Sequence, residues 1–239
     1  MAQQLFLQTD VFLCRGKRHW VFLDVKRDKY FCVDRPQFEA LGPRLKGWRD
    51  ATEPNEGDAA ASEDASALAS DLLSRGILTE RADDTKDALP TVYPLPTGAV
   101  ESEARPRSRG LFCLQAAIFF AASARASREL RRQSFQLTVE SVRKRKSRAA
   151  SRPGLLQLER ARALVSVFER LRWYYPRSYL CLFDSLALVH FLARFGVFPD
   201  WVFGVTADPF EAHCWVQSGN IVLNDTVERV AAFTPIMSV

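Results

Sequence analysis

The apolar run from Leu180 to Phe195, opened by Cys181 and closed by Gly196, constrains this fold more than any other stretch. A segment so apolar has to be buried, and its length suits a helix better than a strand. Gly196 supplies the left-handed residue on which helices commonly stop. Cys181 then stands in the first turn, where free backbone N–H groups and the helix dipole favour a thiolate over a thiol. Downstream, His213 lies in the strand-like run Glu211–Gln217, and Asp225 ends the run Ile221–Asp225. A thiol needs a base to become a nucleophile, and the base needs a third group to fix its tautomer. Thiol, imidazole and carboxylate follow one another here in that order.

Hairpin geometry sets a condition on this reading. A two-residue turn at Ser218-Gly219 pairs His213 with Asn224 and turns Asp225 to the opposite face. A three-residue loop, Ser218-Gly219-Asn220, pairs His213 with Asp225 and brings their Cβ atoms to roughly 5 Å. The three-residue loop is therefore expected. Plainer roles stay open for each residue: a small buried hydrophobe for Cys181, a core histidine for His213, a turn residue for Asp225. Cys214 is a rival nucleophile or ligand, although strand alternation turns it to the other face, towards a core. No CxxC or HxxxH spacing points to a metal, and none is expected. His190 falls inside the apolar helix, where a structural role fits.

The stretches Arg177–Leu188, Arg194-Phe195-Gly196, Ala212–Val216 and Asn224-Asp225 resemble the transglutaminase-like leader peptidase of lasso-peptide biosynthesis. The resemblance covers about residues 110 to 239. It implies a papain/transglutaminase-like domain with Cys181 as nucleophile, His213 as base and Asp225 as orienting acid. Cys214 departs from the small Ala often found there, and Asp184 from a common basic residue. The implied activity is hydrolysis of the amide between leader and core of a precursor peptide, in bacterial antibiotic biosynthesis. Implied partners are that precursor and an ATP-using lactam synthetase, the macrocyclase. No cofactor is expected on this chain, which has no Gly-rich phosphate loop; an ATP requirement would come through the synthetase.

The N-terminal part reads differently. Val11–Cys14, Trp20–Val25 and Lys29–Val33 are short β runs separated by Arg15-Gly16-Lys17 and Lys26-Arg27-Asp28. Helical segments follow at Arg35–Leu41, stopped by Gly42-Pro43, and at Ala65–Arg75, capped by Gly76. The hairpin Val21–Asp24 with Tyr30–Val33, and the later Leu68–Ile77, resemble the RiPP recognition element, a winged-helix-like leader-binding module. That likeness implies a leader strand added beside the third strand, with Tyr30, Phe31, Cys32, Val33, Leu68, Leu72 and Arg75 as its contacts; such β-augmentation draws affinity from main-chain bonds. A DNA-binding winged helix is the rival, but its recognition helix should be basic, and Ala65–Gly76 carries Asp71 and a single Arg.

The whole is expected to be α+β: a small three-stranded leader-binding domain over residues 1–81, a flexible linker over 82–109 rich in proline, and a helix-rich peptidase domain over 110–239. A polar insert from Asp50 to Asp64 reads as a loop. Leu111–Ala124 is apolar but short for a membrane span, so no stable span is expected. Leu155–Leu171 is amphipathic at helical spacing. Five cysteines without framework spacing, and an N-terminus without a basic-then-apolar signal, point to the cytoplasm. Net charge is +5, concentrated in Arg128–Arg152; no aromatics interleave it for base stacking, so nucleic acid is not expected as a partner. Together the two resemblances imply the fused form of the lasso-peptide B-protein family. The alternatives are a transglutaminase-like acyltransferase and a non-catalytic peptide-binding scaffold.

Overall fold

The computed structural model describes residues 3–48, 59–83, 85–100, 109–148, 154–176 and 178–239. The chain divides into two compact units: one of residues 1–92 with 205–211, the other of residues 93–204 with 212–239.

In the first unit, β1 (Phe6–Gln8) precedes an antiparallel sheet of β2 (Val11–Arg15), β3 (His19–Asp24) and β4 (Lys29–Asp34), in that spatial order. Each strand begins or ends within a residue or so of its expected bounds. Between β3 and β4 the chain turns on Asp28, which takes a left-handed φ of 53° that Asp tolerates. Asp24, buried at the turn, accepts from the Arg27 backbone N–H at 2.9 Å and from its guanidinium at 2.6 Å. Helix α1 (Arg35–Leu41) starts with Pro36 in its first turn and lays Phe38 against Trp20 and Phe22, with ring centroids 5.2 and 5.0 Å apart. Helix α2 (Ala59–Ser74) ends on Gly76 at φ 65°, with Gly76 N–H bonded to Leu73 O and Ile77 N–H to Leu72 O. Those two bonds make a Schellman cap. Strands β5 (Leu78–Thr79) and β6 (Thr85–Lys86) flank β1 in a second small sheet. The core between these layers holds Leu5, Leu13, Trp20, Phe22, Leu41 and Leu72.

Two expectations change here. The second helix starts at Ala59, so residues 59–64 of the presumed loop are helical; Asp50–Gly57 lie outside the described residues, as does Asp58. Ala59-Ala60-Ala61 is the best helix-forming sequence available, and propensity outweighs low hydropathy. The proline-rich stretch 82–109 is also more ordered than its composition suggests. Thr85–Lys86 pairs with β1, Ala88 is buried, and Gly98–Ala99 pairs with a strand of the second unit's sheet. Residues 101–108 lie outside the described residues.

A further sheet, of the second unit apart from residues 205–211, has the order β11-β8-β9-β10-β7, from β7 (Gly98–Ala99), β8 (Asp200–Ala207), β9 (Phe210–Ser218), β10 (Ile221–Val222) and β11 (Thr234–Ser238). Its helices are α3 (Arg109–Arg132), α4 (Phe135–Ser147), α5 (Gly154–Arg172), α6 (Cys181–Arg194) and the short α7 (Val227–Val230). As expected, α6 opens on Cys181 and is buried along most of its length. Gly196, at φ 73°, ends it with the same pair of bonds seen at Gly76. Helix α3 continues past Ala124 and Arg125 to Arg132, because Arg125 and Glu129 pair across one turn at 2.7 Å instead of breaking it. Residues 110–132 of α3 are long and apolar enough to cross a membrane by those measures alone, among the described residues. This single, weakly apolar helix does not indicate a stable span. Its Phe119 packs on Phe168 of α5 at 5.1 Å and on Phe191 of α6 at 6.5 Å.

The basic run of α4 is largely committed within this unit. Arg145 donates to His190 Nδ1 at 2.7 Å, Lys146 pairs with Asp200, and Lys144 lies 3.6 Å from Glu140. His190 is held on its other side by Glu129 at 2.7 Å, which accounts for a histidine inside an apolar helix. Residues 149–152 of the run lie outside the described residues.

Candidate active site

The site is built where α6 begins. Its fourth residue, Asp184, reaches back to accept from the Leu180 N–H at 2.8 Å, while its own N–H donates to Leu180 O at 2.9 Å. This reciprocal pair fixes the first turn, and with it Cys181. The second carboxylate oxygen of Asp184 pairs with Arg172, the last residue of α5. Arg172 is buried, and it also donates to Tyr175 O and Ser178 O at 3.3 and 3.1 Å and lies 4.3 Å from the centre of the Tyr179 ring. One guanidinium therefore gathers the segment that leads into the helix.

His213 and Asp225 come from β9 and from the chain that follows β10. Their contact is direct: His213 Nε2 lies 2.6 Å from Asp225 Oδ2. The register that brings it about differs from expectation. Ser218 pairs with Ile221, leaving a two-residue loop, Gly219-Asn220, in place of three residues. Gly219 has φ 60° and is the first loop residue, the pattern of a type II′ hairpin turn. That register extended would set Asp225 opposite Cys214. The strand, however, ends at Val222, with one further bond from the Leu223 N–H to Val216 O at 2.8 Å. Asn224 Oδ1 then takes the Val216 N–H at 2.7 Å, and the chain bends so that Asp225 meets His213. Asp225 Oδ1 accepts from Thr226 N–H at 2.8 Å, and Thr226 caps α7.

Cys181, an exposed residue at the start of α6, lines the same cavity as His213 and Cys214. With Nε2 given to Asp225, Nδ1 is the ring nitrogen left for the sulfur. Hydrogen bonds from Cys214 and then from His213 outweigh burial and lower the Cys181 thiol to about 4. Burial works against charge on His213, but Asp225 and Cys181 overcome it and raise the imidazole to about 9. Asp225 is lowered, its burial being outweighed by the bonds from His213 and Thr226. Between the two values the sulfur is an anion and the imidazole a cation. Cys214 shows the opposite effect: burial raises its thiol well above the ordinary range. As expected, Cys214 faces a buried core: it is 3% exposed, and Ser185 Oγ of α6 lies 3.4 Å from its sulfur.

Cys181, His213 and Asp225 line one open cavity of about 440 Å³, whose wall includes the exposed Trp173, Tyr179 and Leu180. Sequence reasoning missed Arg172 and the rim residues, since no local spacing links Arg172 to Asp184. Among the described residues, no three His, Cys, Asp or Glu side chains are grouped to hold a metal ion.

A second concavity, of about 500 Å³, lies in the first unit between β4 and α2. Tyr30, Phe31, Cys32, Val33, Leu68, Leu72 and Arg75 all line it, joined by His19, Asp34 and Asp71, which the sequence reading did not include. Strand β4 is an edge of its sheet. Arg75 is held by Asp71 at 2.7 Å and lies 5.6 Å from the centre of the Phe31 ring. Val33 and Leu72 are mainly core residues, with Leu72 1% exposed. Within the same unit, the Tyr30 ring lies 5.4 Å from that of Phe210.

Residues 120–238 match the family model of the transglutaminase-like superfamily. The C-terminal half is a transglutaminase-like domain. That superfamily includes cysteine proteases and acyltransferases, so catalysis by a thiol is consistent with it. No curated protein and no solved structure matches the chain.

Proposed function

We propose that this protein is a leader peptidase of lasso-peptide maturation, with the first unit holding the precursor's leader and the second cutting it from the core. The observation that carries the reading is the 2.6 Å imidazole–carboxylate contact of His213 and Asp225 in a cavity that Cys181 also lines. The groove between β4 and α2 supports the substrate class: an edge strand offers backbone bonds to an extended peptide, and the apolar wall beside it offers pockets for alternate side chains.

The Cys181 thiolate attacks the carbonyl of the last leader residue. A C–S bond forms, and the carbonyl π electrons move to oxygen. A backbone N–H in the first turn of α6 is the type of donor that such an oxyanion needs, since no intrahelical carbonyl can claim it. As the oxyanion collapses, the C–N bond breaks and the His213 imidazolium gives its Nδ1 proton to the departing core amine. Water then attacks the thioester and His213 takes one of its protons; the C–S bond breaks to restore the Cys181 thiolate, and the leader leaves as an acid that gives its proton to solvent and becomes a carboxylate. Asp225 keeps the imidazole in the tautomer and orientation that both proton transfers need. The groove raises the local concentration of the scissile amide. The lactam synthetase is proposed as the partner that receives the freed core, and the cytoplasm as the compartment.

The superfamily match favours one other outcome of the same acyl-enzyme, capture by an amine in place of water. Incubation with a lasso precursor peptide, followed by mass spectrometry, separates the two: hydrolysis yields a leader with a free carboxylate, aminolysis a leader amide. Cys181→Ala should leave precursor intact and still bind its leader. Normal cleavage by Cys181→Ala would refute the assignment of the nucleophile.

A further inference from the structure

The fold uses one end of the Asn224 side chain and leaves the other unspent. In the hairpin of β9 and β10, Ser218 pairs with Ile221, so Val216 stands opposite Leu223. Leu223 N–H donates to Val216 O at 2.8 Å, as a continued ladder requires. The return bond goes elsewhere: Val216 N–H donates to Asn224 Oδ1 at 2.7 Å. That bond settles which end of the amide is oxygen, since a reversed amide would set two donors against each other. The arms of a planar amide diverge, so Nδ2 is turned away from the Val216 N–H. Among the described residues nothing accepts from Nδ2, and it is not a buried nitrogen shut off from solvent.

Asn224 is half-buried and lines the cavity that Cys181, His213 and Asp225 also line. The other side-chain donors on that wall are engaged or loosely held. Arg172 is tied to Asp184, Tyr175 O and Ser178 O. His213 is bonded to Asp225, and Cys214 is buried against Ser185. Trp173 and Tyr179 are 79% and 60% exposed on the rim, and the Arg229 side chain is 66% exposed. The carboxylate next to Asn224, that of Asp225, bonds His213 and the Thr226 N–H and not Nδ2.

We propose that Asn224 Nδ2 is a fixed hydrogen-bond donor to a carbonyl oxygen of the acyl substrate in this cavity. A donor already held by the fold needs no reorganisation when charge develops on that oxygen. The carbonyl is either the one under attack by Cys181 or the next along the acyl chain. The inference rests on Cys181 being the reactive thiol of the proposed function.

Asn224→Asp separates the two ends of the side chain. It has the shape of Asn and keeps an oxygen for the Val216 N–H, but it replaces the donor by an acceptor. The full chain is acylated with p-nitrophenyl acetate, which carries only the carbonyl under attack, and with N-acetylalanine p-nitrophenyl ester, which adds the next one. Nitrophenolate release is read after subtracting that of Cys181→Ala. Alkylation of Cys181 by iodoacetamide, followed by mass spectrometry of its tryptic peptide, is the control: it forms no oxyanion and registers only a disturbed sulfur or added charge. Relative to alkylation, Asn224→Asp should slow both esters by roughly tenfold or more if Nδ2 serves the carbonyl under attack. It should slow the second ester alone, by roughly two- to tenfold, if Nδ2 serves the next carbonyl. Esters slowed no more than alkylation, or not slowed at all, overturn the proposal. A wild type that is alkylated but acylated by neither ester would instead remove the acyl-enzyme of the proposed function, and this inference with it. If Asn224→Asp does not fold, the same ratio of ester to alkylation rates in Asn224→Ala decides.

Discussion

Replacing Asp225 by Asn should move the titration of His213 by an amount that the site's geometry bounds. Imidazole normally titrates near 6.5, and His213 stands at about 9. Burial alone would lower it, so its two partners, Asp225 and Cys181, together supply more than the whole rise. Asp225 is the stronger of the two both as hydrogen-bond partner and as charge. Its share is then at least ~1.2 pH units, or ~1.7 kcal/mol of preference for the imidazolium. Asn keeps an acceptor in place but a neutral one, so the midpoint should fall by on the order of one pH unit, to about 8 or below. Nitrogen-15 NMR of the imidazole, titrated in wild type and Asp225→Asn, reads this directly and needs no substrate. A loss of cleavage rate of roughly 10²-fold or more, with an unchanged melting profile, should accompany it. The acid limb of cleavage should lie near 4 and the alkaline limb near 9 in the wild type, since the ion pair exists only between them; the variant should lose the alkaline limb first. A His213 midpoint still at about 9 in Asp225→Asn would show that another group orients the imidazole.

Four further outcomes can be checked. Gly204→Ala would set a Cβ 2.8 Å from two atoms of the Trp215 ring and 3.0 Å from Phe233 Cβ; neither can swing away, so thermal unfolding should register a loss of about 1–3 kcal/mol. Glu129 is pushed up by burial but held down to about 2 by His190 and Arg125. Its stabilisation is therefore complete above about 4.5 and drains away as the pH falls towards 2; Glu129→Gln should flatten that acid slope and cost about 3–5 kcal/mol at neutral pH by urea unfolding. In the first unit, Leu72→Ala should cost about 2–5 kcal/mol of stability whatever its effect on binding, because Leu72 is core. Arg75→Ala should leave stability nearly unchanged and weaken a fluorescent leader in titration; equal affinity would take Arg75 out of the groove's function.

What could be read in the sequence followed from local rules. Gly76 and Gly196 marked helix ends because only a left-handed residue completes the two closing bonds seen at both. Cys181 marked a helix start because apolar periodicity begins there. The hairpin was read correctly as a hairpin but with the wrong loop, since Ser218 and Asn220 are equally at home in either turn; what settles the register is Asn224 capturing the Val216 N–H, a contact no spacing rule anticipates. Cys214 was read correctly as a core residue, because alternation along a strand says which way a side chain points. The join of Arg172 to Asp184, and that of His190 to Glu129, link separate helices, so each needed the tertiary arrangement to become visible.

The single guanidinium of Arg172 has a wider consequence for how this site could change. The same group that braces the nucleophile's helix through Asp184 also ties down the carbonyls of Tyr175 and Ser178 and supports the face of Tyr179. Shape at the mouth of the cavity and alignment of the sulfur are thus mechanically coupled. A loop graft between residues 173 and 180, made to admit a different peptide, would shift the reacting atom unless the graft rebuilt both carbonyl contacts. Substitution outward of this anchor, at Trp173 or at the tip of the Tyr179 side chain, leaves it intact. Retuning of selectivity is therefore cheap at the surface of the rim and steep one layer beneath it.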